Sequence, residues 1–322
     1  MSFDKAQGFA MHLTQRSRGF LLGLFAAAMY GLNPLFVLPL YKAGVGMVSI
    51  LTFRSALAIV LLAMLMKARG LSFGVRRDEF IPLFFLGILF TSSALCLYEG
   101  YRYLDVGIAS TLLFVYPVFV AMISALFLKE KLPGLTVMAI ALSCIGVLLL
   151  YKTGSGGSLS LFGLLLVGIS ALTYAVFIVL VNSSSVRNFP TVKLVFYSLI
   201  CGLPILFFRS ACFTELEIPT DPHLWLNLVY LALFPTIVSL IAMTRSIVYI
   251  GATPASILGA LEPLTGLFCG VVVFGEELTL RLVIGVILIL VSVSVVVAAG
   301  PLSAWLRRHM AAEKALTRSH TM

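Results

Sequence analysis

The feature that most restricts the fold of this 322-residue chain is a series of apolar runs, each long enough to cross a membrane. A helix of about 20 apolar residues spans the roughly 30 Å of hydrocarbon in a bilayer. Short connections separate ten such runs, over residues 19–40, 46–66, 80–102, 106–128, 134–151, 160–181, 193–208, 224–248, 254–274 and 281–299. The pattern predicts an all-α, multi-pass protein of the cell (inner) membrane with ten transmembrane helices.

Composition argues against other classes of protein. Hydrophobic residues make up 61% of the chain and charged residues 11%, against roughly half and a quarter in soluble domains. The connections are too short for a soluble catalytic domain. All four histidines lie in predicted loops or tails, and the glycine-rich segment 153–158 lacks the lysine of a phosphate-binding loop. We therefore expect no enzyme activity, no cofactor and no metal site.

The net charge of +9 indicates membrane topology rather than nucleic-acid binding. Lys and Arg are enriched in cytoplasmic loops, and a cytoplasmic N-terminus distributes the basic residues unevenly. One side of the membrane receives Lys42, Arg102, Lys152, Arg209 and Arg281. The cytoplasmic side receives Lys5, Arg16, Arg18, Lys67, Arg69, Arg76, Arg77, Lys129, Lys131, Arg187, Lys193, Arg307, Arg308, Lys314 and Arg318. Both termini are therefore predicted to be cytoplasmic.

An internal repeat relates the two halves of the chain. At an offset of 146 residues, segment 107–132 aligns without gaps on segment 253–278. At an offset of 144, Tyr30 in the first run aligns with Tyr174 in the sixth. The identities within the aligned segments are Ala109/Ala255, Ser110/Ser256, Leu112/Leu258, Pro117/Pro263, Glu130/Glu276 and Leu132/Leu278. Runs one to five are thus predicted to be duplicated as runs six to ten, although apolar composition inflates such matches.

Because five is an odd number, the second copy must insert upside down relative to the first. The segment "KEKL" after run four carries two lysines and lies on the predicted cytoplasmic side, whereas its counterpart "GEEL" after run nine carries none. The expected architecture is two inverted five-helix repeats. The predicted divisions are an N-terminal segment (1–18), a first half (19–151), a linker (152–159), a second half (160–300) and a cytoplasmic tail (301–322).

The chain resembles the drug/metabolite transporter superfamily, and within it the EamA-type transporters with two EamA domains. The resemblance rests on ten runs, on "A-S…P" followed by "E-x-L" at the ends of runs four and nine, and on "LEP" in run nine. The first half departs from it with "VYP" in place of "LEP" and "LKEKL" in place of a glycine–glutamate pair. It implies a transporter of small metabolites, commonly an exporter of amino acids or related compounds.

Glu262 lies inside the ninth run, directly before Pro263. Counting along the helix places it about 10 Å from one end of the run and about 18 Å from the other. An ionisable group at that depth costs several kcal/mol unless it faces a cavity or a partner. Pro263 is expected to free the carbonyl of Gly259, and Pro117 that of Leu113.

Two broken helices at matching positions in inverted halves predict a central substrate path bordered by Glu262. Glu262 is also a candidate for proton coupling. In the alternative interpretation, a protonated Glu262 forms a hydrogen bond to a neighbouring helix and serves packing alone.

Arg54, within the second run, is a second candidate for the substrate path. A guanidinium facing a cavity would suit a carboxylate or phosphate on the substrate. In the alternative, its long side chain reaches toward the interface, or forms a structural bridge to Glu99 or to a helix C-terminal carbonyl.

Glu99 and Arg245 are weaker candidates for ion pairing or coupling. Glu99 lies near the end of the third run with Arg102 beside it, which favours an interfacial ion pair. Arg245 lies near the cytoplasmic end of the eighth run and is interpreted mainly as an anchor. The two residues align at the offset of 146.

Polar side chains within the runs complete the predicted site. Tyrosines of an interfacial belt lie at the ends of spans, but several tyrosines and one asparagine lie inside. For any one of them packing is the alternative, but as a group they predict a cavity with aromatic walls: Tyr30, Asn33, Tyr98, Tyr116 and Tyr174.

Three functions are compatible with these features to different degrees. A secondary transporter that moves a small polar or amphipathic metabolite, most simply by export and alternating access, fits all of them. A lipid-linked-sugar flippase or an uptake or exchange carrier is the alternative. An intramembrane enzyme lacks the necessary residues. The expected partners are a small-molecule substrate and the lipid bilayer, and the oligomeric state is left open.

Overall fold

The structure is a computed structural model that describes residues 3–100, 102–104, 109, 112–129, 132–150, 160–187, 189–212, 216–274 and 279–296. All regular secondary structure in these ranges is helical. The predicted linker (152–159), the predicted tail (301–322) and the repeat positions Ser110, Glu130, Glu276 and Leu278 lie outside the described residues.

The helices follow the apolar runs of the sequence. In chain order they are α1 (Phe3–Gly31), α2 (Asn33–Lys42), α3 (Met47–Ala68), α4 (Arg77–Gly100), α5 (Tyr116–Phe127), α6 (Gly134–Leu150), α7 (Leu161–Val181), α8 (Ser184–Arg187), α9 (Thr191–Arg209), α10 (Pro222–Leu231), α11 (Ser239–Ile250), α12 (Ala252–Leu258), α13 (Leu261–Phe274) and α14 (Leu280–Val296). A π-helical segment, Ala232–Val238, joins α10 to α11.

Seven helices or joined helix pairs in the described ranges are long and apolar enough to cross a membrane. They are Gln15–Lys42, Met47–Ala68, Arg77–Gly100, Leu161–Val181, Thr191–Arg209, Pro222–Ile250 and Ala252–Val273. Three shorter apolar helices, α5, α6 and α14, coincide with the remaining predicted runs. The all-helical membrane fold is confirmed, whereas the count of ten spans and the location of the termini stay predictions.

Prolines interrupt several of these helices. Pro34 follows the junction of α1 and α2 at Leu32, and Pro235 lies inside the π-helical segment. Pro263 lies in the first turn of α13, after a break at Gly259 and Ala260. Because proline has no N–H and clashes with the preceding turn, a helix kinks or breaks there.

The two halves pack through the same contacts. In α4, the Ser93 hydroxyl donates to the Ser170 carbonyl of α7 at 3.0 Å. In α11, the Ser239 hydroxyl donates to the Ala26 carbonyl of α1 at 2.9 Å. Ser239 lies 146 positions after Ser93, and Ser170 lies 144 positions after Ala26. These are the offsets of the sequence repeat, so α4 on α7 and α11 on α1 are equivalent pairs.

Close glycine contacts repeat the same relation. Gly163 of α7 lies against Tyr103, and Gly19 of α1 lies against Tyr249. The glycines differ by 144 positions and the tyrosines by 146. In both places the absence of a Cβ lets the helix approach the tyrosine closely. The packing therefore supports a duplicated five-helix unit through contacts that apolar composition alone would not produce.

Equivalent helices α3 and α9 run in opposite directions. The start of α3, at Gly46, contacts Glu217, which follows the end of α9. The start of α9, at Lys193, contacts Gly74, which follows the end of α3. This antiparallel arrangement is what an inverted repeat requires. We call the end of the bundle at Gly46 and Glu217 the Glu99 face, and the end at Gly74 the Lys193 face.

Helices α4 and α9 approach each other closely at Gly87 of α4. A methyl group built on Gly87 would lie 2.5 Å from the Ser198 carbonyl oxygen and 2.6 Å from the Cys201 Cβ. The first of these neighbours is backbone, which cannot rotate away. The close approach therefore depends on glycine at position 87.

We expect Gly87→Ala to destabilise the protein by about 1–3 kcal/mol, the usual cost of overpacking a well-packed site. Gly168→Ala on α7 is the matched control, because nothing lies within 4 Å of the added methyl group. The measurement is the apparent melting temperature in detergent. An equal fall in both variants would contradict the packing argument.

Candidate functional site

Arg54 is the centre of a buried polar cluster. Its side chain is only 3% exposed on α3, and it donates a hydrogen bond to the Tyr30 hydroxyl of α1. Tyr30 also lies within electrostatic range of Glu262 on α13 and of Tyr98 on α4. We call Tyr30, Arg54, Tyr98 and Glu262 the central cluster. Four helices from the two halves thus bring together residues that are far apart in the sequence.

Several polar atoms on α2 and α3 are buried without a hydrogen-bond partner among the described residues. They are Arg54 Nε, Asn33 Oδ1 and the Tyr41 hydroxyl. Tyr41 lies within electrostatic range of Arg54 and Tyr98. A buried polar group without a partner costs about 1–3 kcal/mol. Each such atom requires an explanation, and beside the buried guanidinium of Arg54 a bound ligand would provide one.

Glu262 is positioned by the break that separates α12 from α13. Its backbone N–H donates to the Gly259 carbonyl at 2.9 Å, so the prediction that Pro263 frees this carbonyl is wrong. At the break the carbonyl of Gly259 accepts from the residue three positions later, instead of the residue four positions later as in an α-helix. The Glu262 carboxylate forms no hydrogen bond within the described residues, so the packing partner of the alternative interpretation is not observed there.

Tyrosines surround Glu262 from both halves. Tyr116 and Tyr174 are T-shaped with ring centroids 4.9 Å apart, and both lie within electrostatic range of Glu262 and Tyr30. Tyr30 and Tyr174 are equivalent in the repeat, as are Tyr116 and Glu262. These four residues are two equivalent pairs where the halves meet.

The Tyr116 hydroxyl is already engaged in protein contacts. It donates to the Ser256 carbonyl at 3.1 Å and lies against Gly259 at the break. Pro117 follows it at the start of α5, so the two predicted helix breaks touch each other through Tyr116. This geometry suits a residue that supports the broken helix and, through it, the position of Glu262.

Glu99 lies apart from the central cluster and accepts from two arginines. Its carboxylate is 3.3 Å from Arg102 Nη1 and 2.9 Å from Arg209 Nε. A bridge from Glu99 to Arg54 is therefore not formed. Arg245, the repeat equivalent of Glu99, is exposed on α11 and lies outside the central cluster.

A cavity of about 510 Å³ opens at the Glu99 face. It extends inward as far as Tyr98 of the central cluster and is lined by Gly46, Met47, Val48, Ser49, Leu95, Tyr98, Glu99, Arg102, Arg209, Ser210 and Glu217. We call it the Glu99 cavity. One of its walls is held in place by Glu217, whose N–H donates to the Ser49 hydroxyl at 2.9 Å.

Three residues of this region were missed by the sequence analysis. Tyr41 lies at the end of a span, where a tyrosine ordinarily belongs to the interfacial belt. Arg209 was counted only as a topology charge, and Glu217 lies in a connection without a motif. Of the three, only Arg209 could have been found from the sequence, because a charged residue at the end of a span is a candidate for an ion pair.

Comparison with known proteins identifies the family. The model of the EamA-like transporter family matches residues 17–152 and 161–298, one copy in each half. The chain belongs to this family. The predicted membership, with two EamA domains, is confirmed. This EamA-like protein is therefore a multi-pass membrane transporter of a small-molecule substrate and not an enzyme.

Related proteins carry transporter names. An uncharacterized transporter of Archaeoglobus fulgidus is 30% identical over 62% of this chain and 67% of its own. The uncharacterized transporter YdfC of Bacillus subtilis is 26% identical over 63% of this chain and 66% of its own. The EamA-like chain thus spans about two thirds of these relatives. The pseudopaline exporter CntI of Pseudomonas aeruginosa is 30% identical over 47% of this chain and 51% of its own.

A solved crystal structure of another protein has the same fold. It superimposes with a TM-score of 0.76 at 17% sequence identity, and the match covers 90% of this chain and 99% of that chain. At this identity the likeness shows the EamA-like architecture alone.

Proposed function

We propose that this EamA-like protein is a secondary transporter that moves a small carboxylate-bearing metabolite, such as an amino acid or a related compound, by alternating access. The proposal rests on Arg54, a guanidinium that is 3% exposed and whose Nε has no partner among the described residues. It belongs to the same cluster as Tyr98, which lines the Glu99 cavity. A planar guanidinium binds a carboxylate through two parallel hydrogen bonds. Glu99 does not neutralise Arg54, because its carboxylate is bound by Arg102 and Arg209.

The residues around Arg54 are suited to the rest of such a substrate. Tyr30 and Tyr98 supply hydroxyls and aromatic walls, and the unpartnered Asn33 Oδ1 and Tyr41 hydroxyl can bind amino or hydroxyl groups. Glu262 either binds a substrate ammonium or carries a coupling proton, because its carboxylate is acceptor-only when charged and a donor when protonated. A zwitterionic metabolite would use both Arg54 and Glu262.

In the proposed topology the Glu99 face is extracytoplasmic and both termini are cytoplasmic. The uneven distribution of basic residues supports this orientation. The seven long and three shorter apolar helices are taken together as ten spans. The Glu99 cavity then opens to the outside, so the conformation corresponds to an outward-facing state of the transport cycle. The name of the CntI relative supports export as the net direction.

The topology predicts opposite locations for reporter fusions. A reporter fused after Lys152 or after Gly275 should be active on the extracytoplasmic side. A reporter fused after Lys131 or at the C-terminus should be active in the cytoplasm. The measurement is the ratio of a periplasm-active to a cytoplasm-active reporter. A cytoplasmic signal after Gly275 would contradict the inverted arrangement.

Substitution of Arg54 tests the proposed carboxylate contact. Arg54→Ala should raise the half-saturating concentration of an anionic or zwitterionic substrate by at least about tenfold, because a charge-assisted hydrogen bond is lost. Arg54→Lys should restore transport in part, because it keeps the charge but loses the planar fork. The measurement is uptake into proteoliposomes, with substrates first found by comparing metabolites in cells and medium.

Arg69→Ala is the matched control, since Arg69 is exposed in the connection after α3. Both Arg54 variants should give a monodisperse size-exclusion peak. Loss of that peak together with transport would assign Arg54 a structural role and contradict the proposed contact.

Glu262→Gln separates proton coupling from substrate exchange. Glutamine keeps the size and hydrogen-bonding capacity of the side chain and fixes a neutral state. If Glu262 carries the coupling proton, exchange of substrate across the membrane should survive, while accumulation driven by a pH gradient should disappear. Wild-type accumulation in the variant would exclude coupling through Glu262. Loss of both activities would assign Glu262 to substrate binding or gating instead.

A further inference from the structure

The two ends of the bundle carry different side chains at the equivalent positions Ser49 and Lys193. Helices α3 and α9 begin at Met47 and Thr191, which sets their offset at 144. At this offset, Ser49 corresponds to Lys193. Both residues are largely buried, but Ser49 lines the Glu99 cavity, whereas Lys193 contacts the Gly74 carbonyl at the opposite face. A short side chain thus borders the open end, and a long one occupies the equivalent place at the other end.

The ammonium of Lys193 is held by groups from three directions. Nζ donates a hydrogen bond to the Gly74 carbonyl and lies 5.3 Å from the ring centroid of Phe189. Glu79 on α4 is within electrostatic range, but its carboxylate is already bound by Arg76 at 3.0 Å. The direct hydrogen bond of Lys193 is therefore to the backbone of the connection between α3 and α4.

Tyr197 holds the same connection one turn further along α9. Its hydroxyl donates to the Phe73 carbonyl, and the Phe73 ring packs on Phe196 with centroids 5.7 Å apart. Residues 71–76, which we call the 71–76 loop, are thus fastened across the start of α9. The loop belongs to the first half and α9 to the second, so the fastening joins the two halves.

Residues behind the fastened loop are buried where their equivalents line the open cavity. Val48 lines the Glu99 cavity, and its equivalent Val192 is 4% exposed. Tyr98 lines it too, and Thr244, its equivalent at the offset of 146, is 2% exposed. The Lys193 face is therefore closed at the positions where the Glu99 face is open.

We propose that Lys193 is the gate residue of the Lys193 face. It closes this face by occupying the position equivalent to Ser49 with a longer side chain and by binding the 71–76 loop. Tyr197 is the second attachment of that gate. The inference rests on the proposed alternating access, in which the equivalent cavity must open at this face during the cycle. Opening requires both hydrogen bonds to the loop to break, so these bonds bias the protein toward the conformation described.

The test compares two equivalent positions as single cysteines. In a background with all five cysteines replaced by alanine, Val48→Cys reports the open face and Val192→Cys the closed face. A membrane-impermeant maleimide is added to one face at a time, with inverted or right-side-out vesicles. Lys193→Ser installs the residue of the open face, Lys193→Met keeps length without charge, and Tyr197→Phe removes one hydroxyl. Lys67→Ser is the control, because Lys67 is exposed at the same face.

Lys193→Ser should accelerate labelling at Val192→Cys about tenfold, since a hydrogen bond from a charged group and the blocking side chain are both lost. Tyr197→Phe should accelerate it by about threefold, as it loses one neutral hydrogen bond. Lys193→Met loses the charged hydrogen bond but keeps most of the blocking side chain, so its rate should lie between those of Tyr197→Phe and Lys193→Ser. In all three variants labelling at Val48→Cys should slow, because opening one face closes the other. Lys67→Ser should change neither rate.

Faster labelling at Val192→Cys with an unchanged rate at Val48→Cys would overturn the proposal, because it would indicate local loosening instead of gating. Unchanged labelling at both positions would overturn it as well. Labelling is measured without substrate, so these outcomes do not depend on whether Arg54 binds a carboxylate. If the Arg54 experiment failed, the proposed substrate class would be wrong, but the proposed gate would be unaffected.

Discussion

The interior of a bilayer offers no water to an exposed peptide group, and this constraint governs the whole structure. A helix can be interrupted at membrane depth only where protein or a cavity takes over the freed backbone groups. Here the interruptions lie at Leu32, at Gly259 and before Tyr116, and each adjoins a polar side chain. Glu262 reaches the central cluster beside one of these breaks, and Asn33 directly precedes Pro34 at another.

The two halves share one backbone fold, but equivalent positions in them carry different side chains. Arg54 in the first half corresponds to Ser198 in the second at the offset of 144, and Glu262 corresponds to Tyr116. The guanidinium and the carboxylate of the central cluster therefore come from different halves. Any relative movement of the halves changes the distance between these two groups, which makes the cluster sensitive to the conformation of the entire protein.

The apolar runs predicted the helices because hydrocarbon thickness fixes their length, and "EP" in run nine predicted the break beside Glu262. Arg54 and Tyr30 were likewise found as polar groups in apolar surroundings. Contacts between distant residues could not be predicted in this way. Glu99 and Arg209 are 110 positions apart, and no periodicity within either helix indicates their pairing. The Gly259 carbonyl was misjudged because a lost hydrogen bond to residue i+4 can be replaced by one to residue i+3.

The π-helical segment between α10 and α11 records an insertion that the fold has absorbed. Helix α10 begins 17 positions before Ser239, at Pro222, whereas α4 begins 16 positions before Ser93, at Arg77. One additional residue in an α-helix would rotate every later side chain by about 100°. A π turn, whose hydrogen bonds reach one residue further, takes up the additional residue instead. Ser239 consequently still reaches Ala26, and the register between the halves survived a change in length that would otherwise have turned the end of α11 away from its partner.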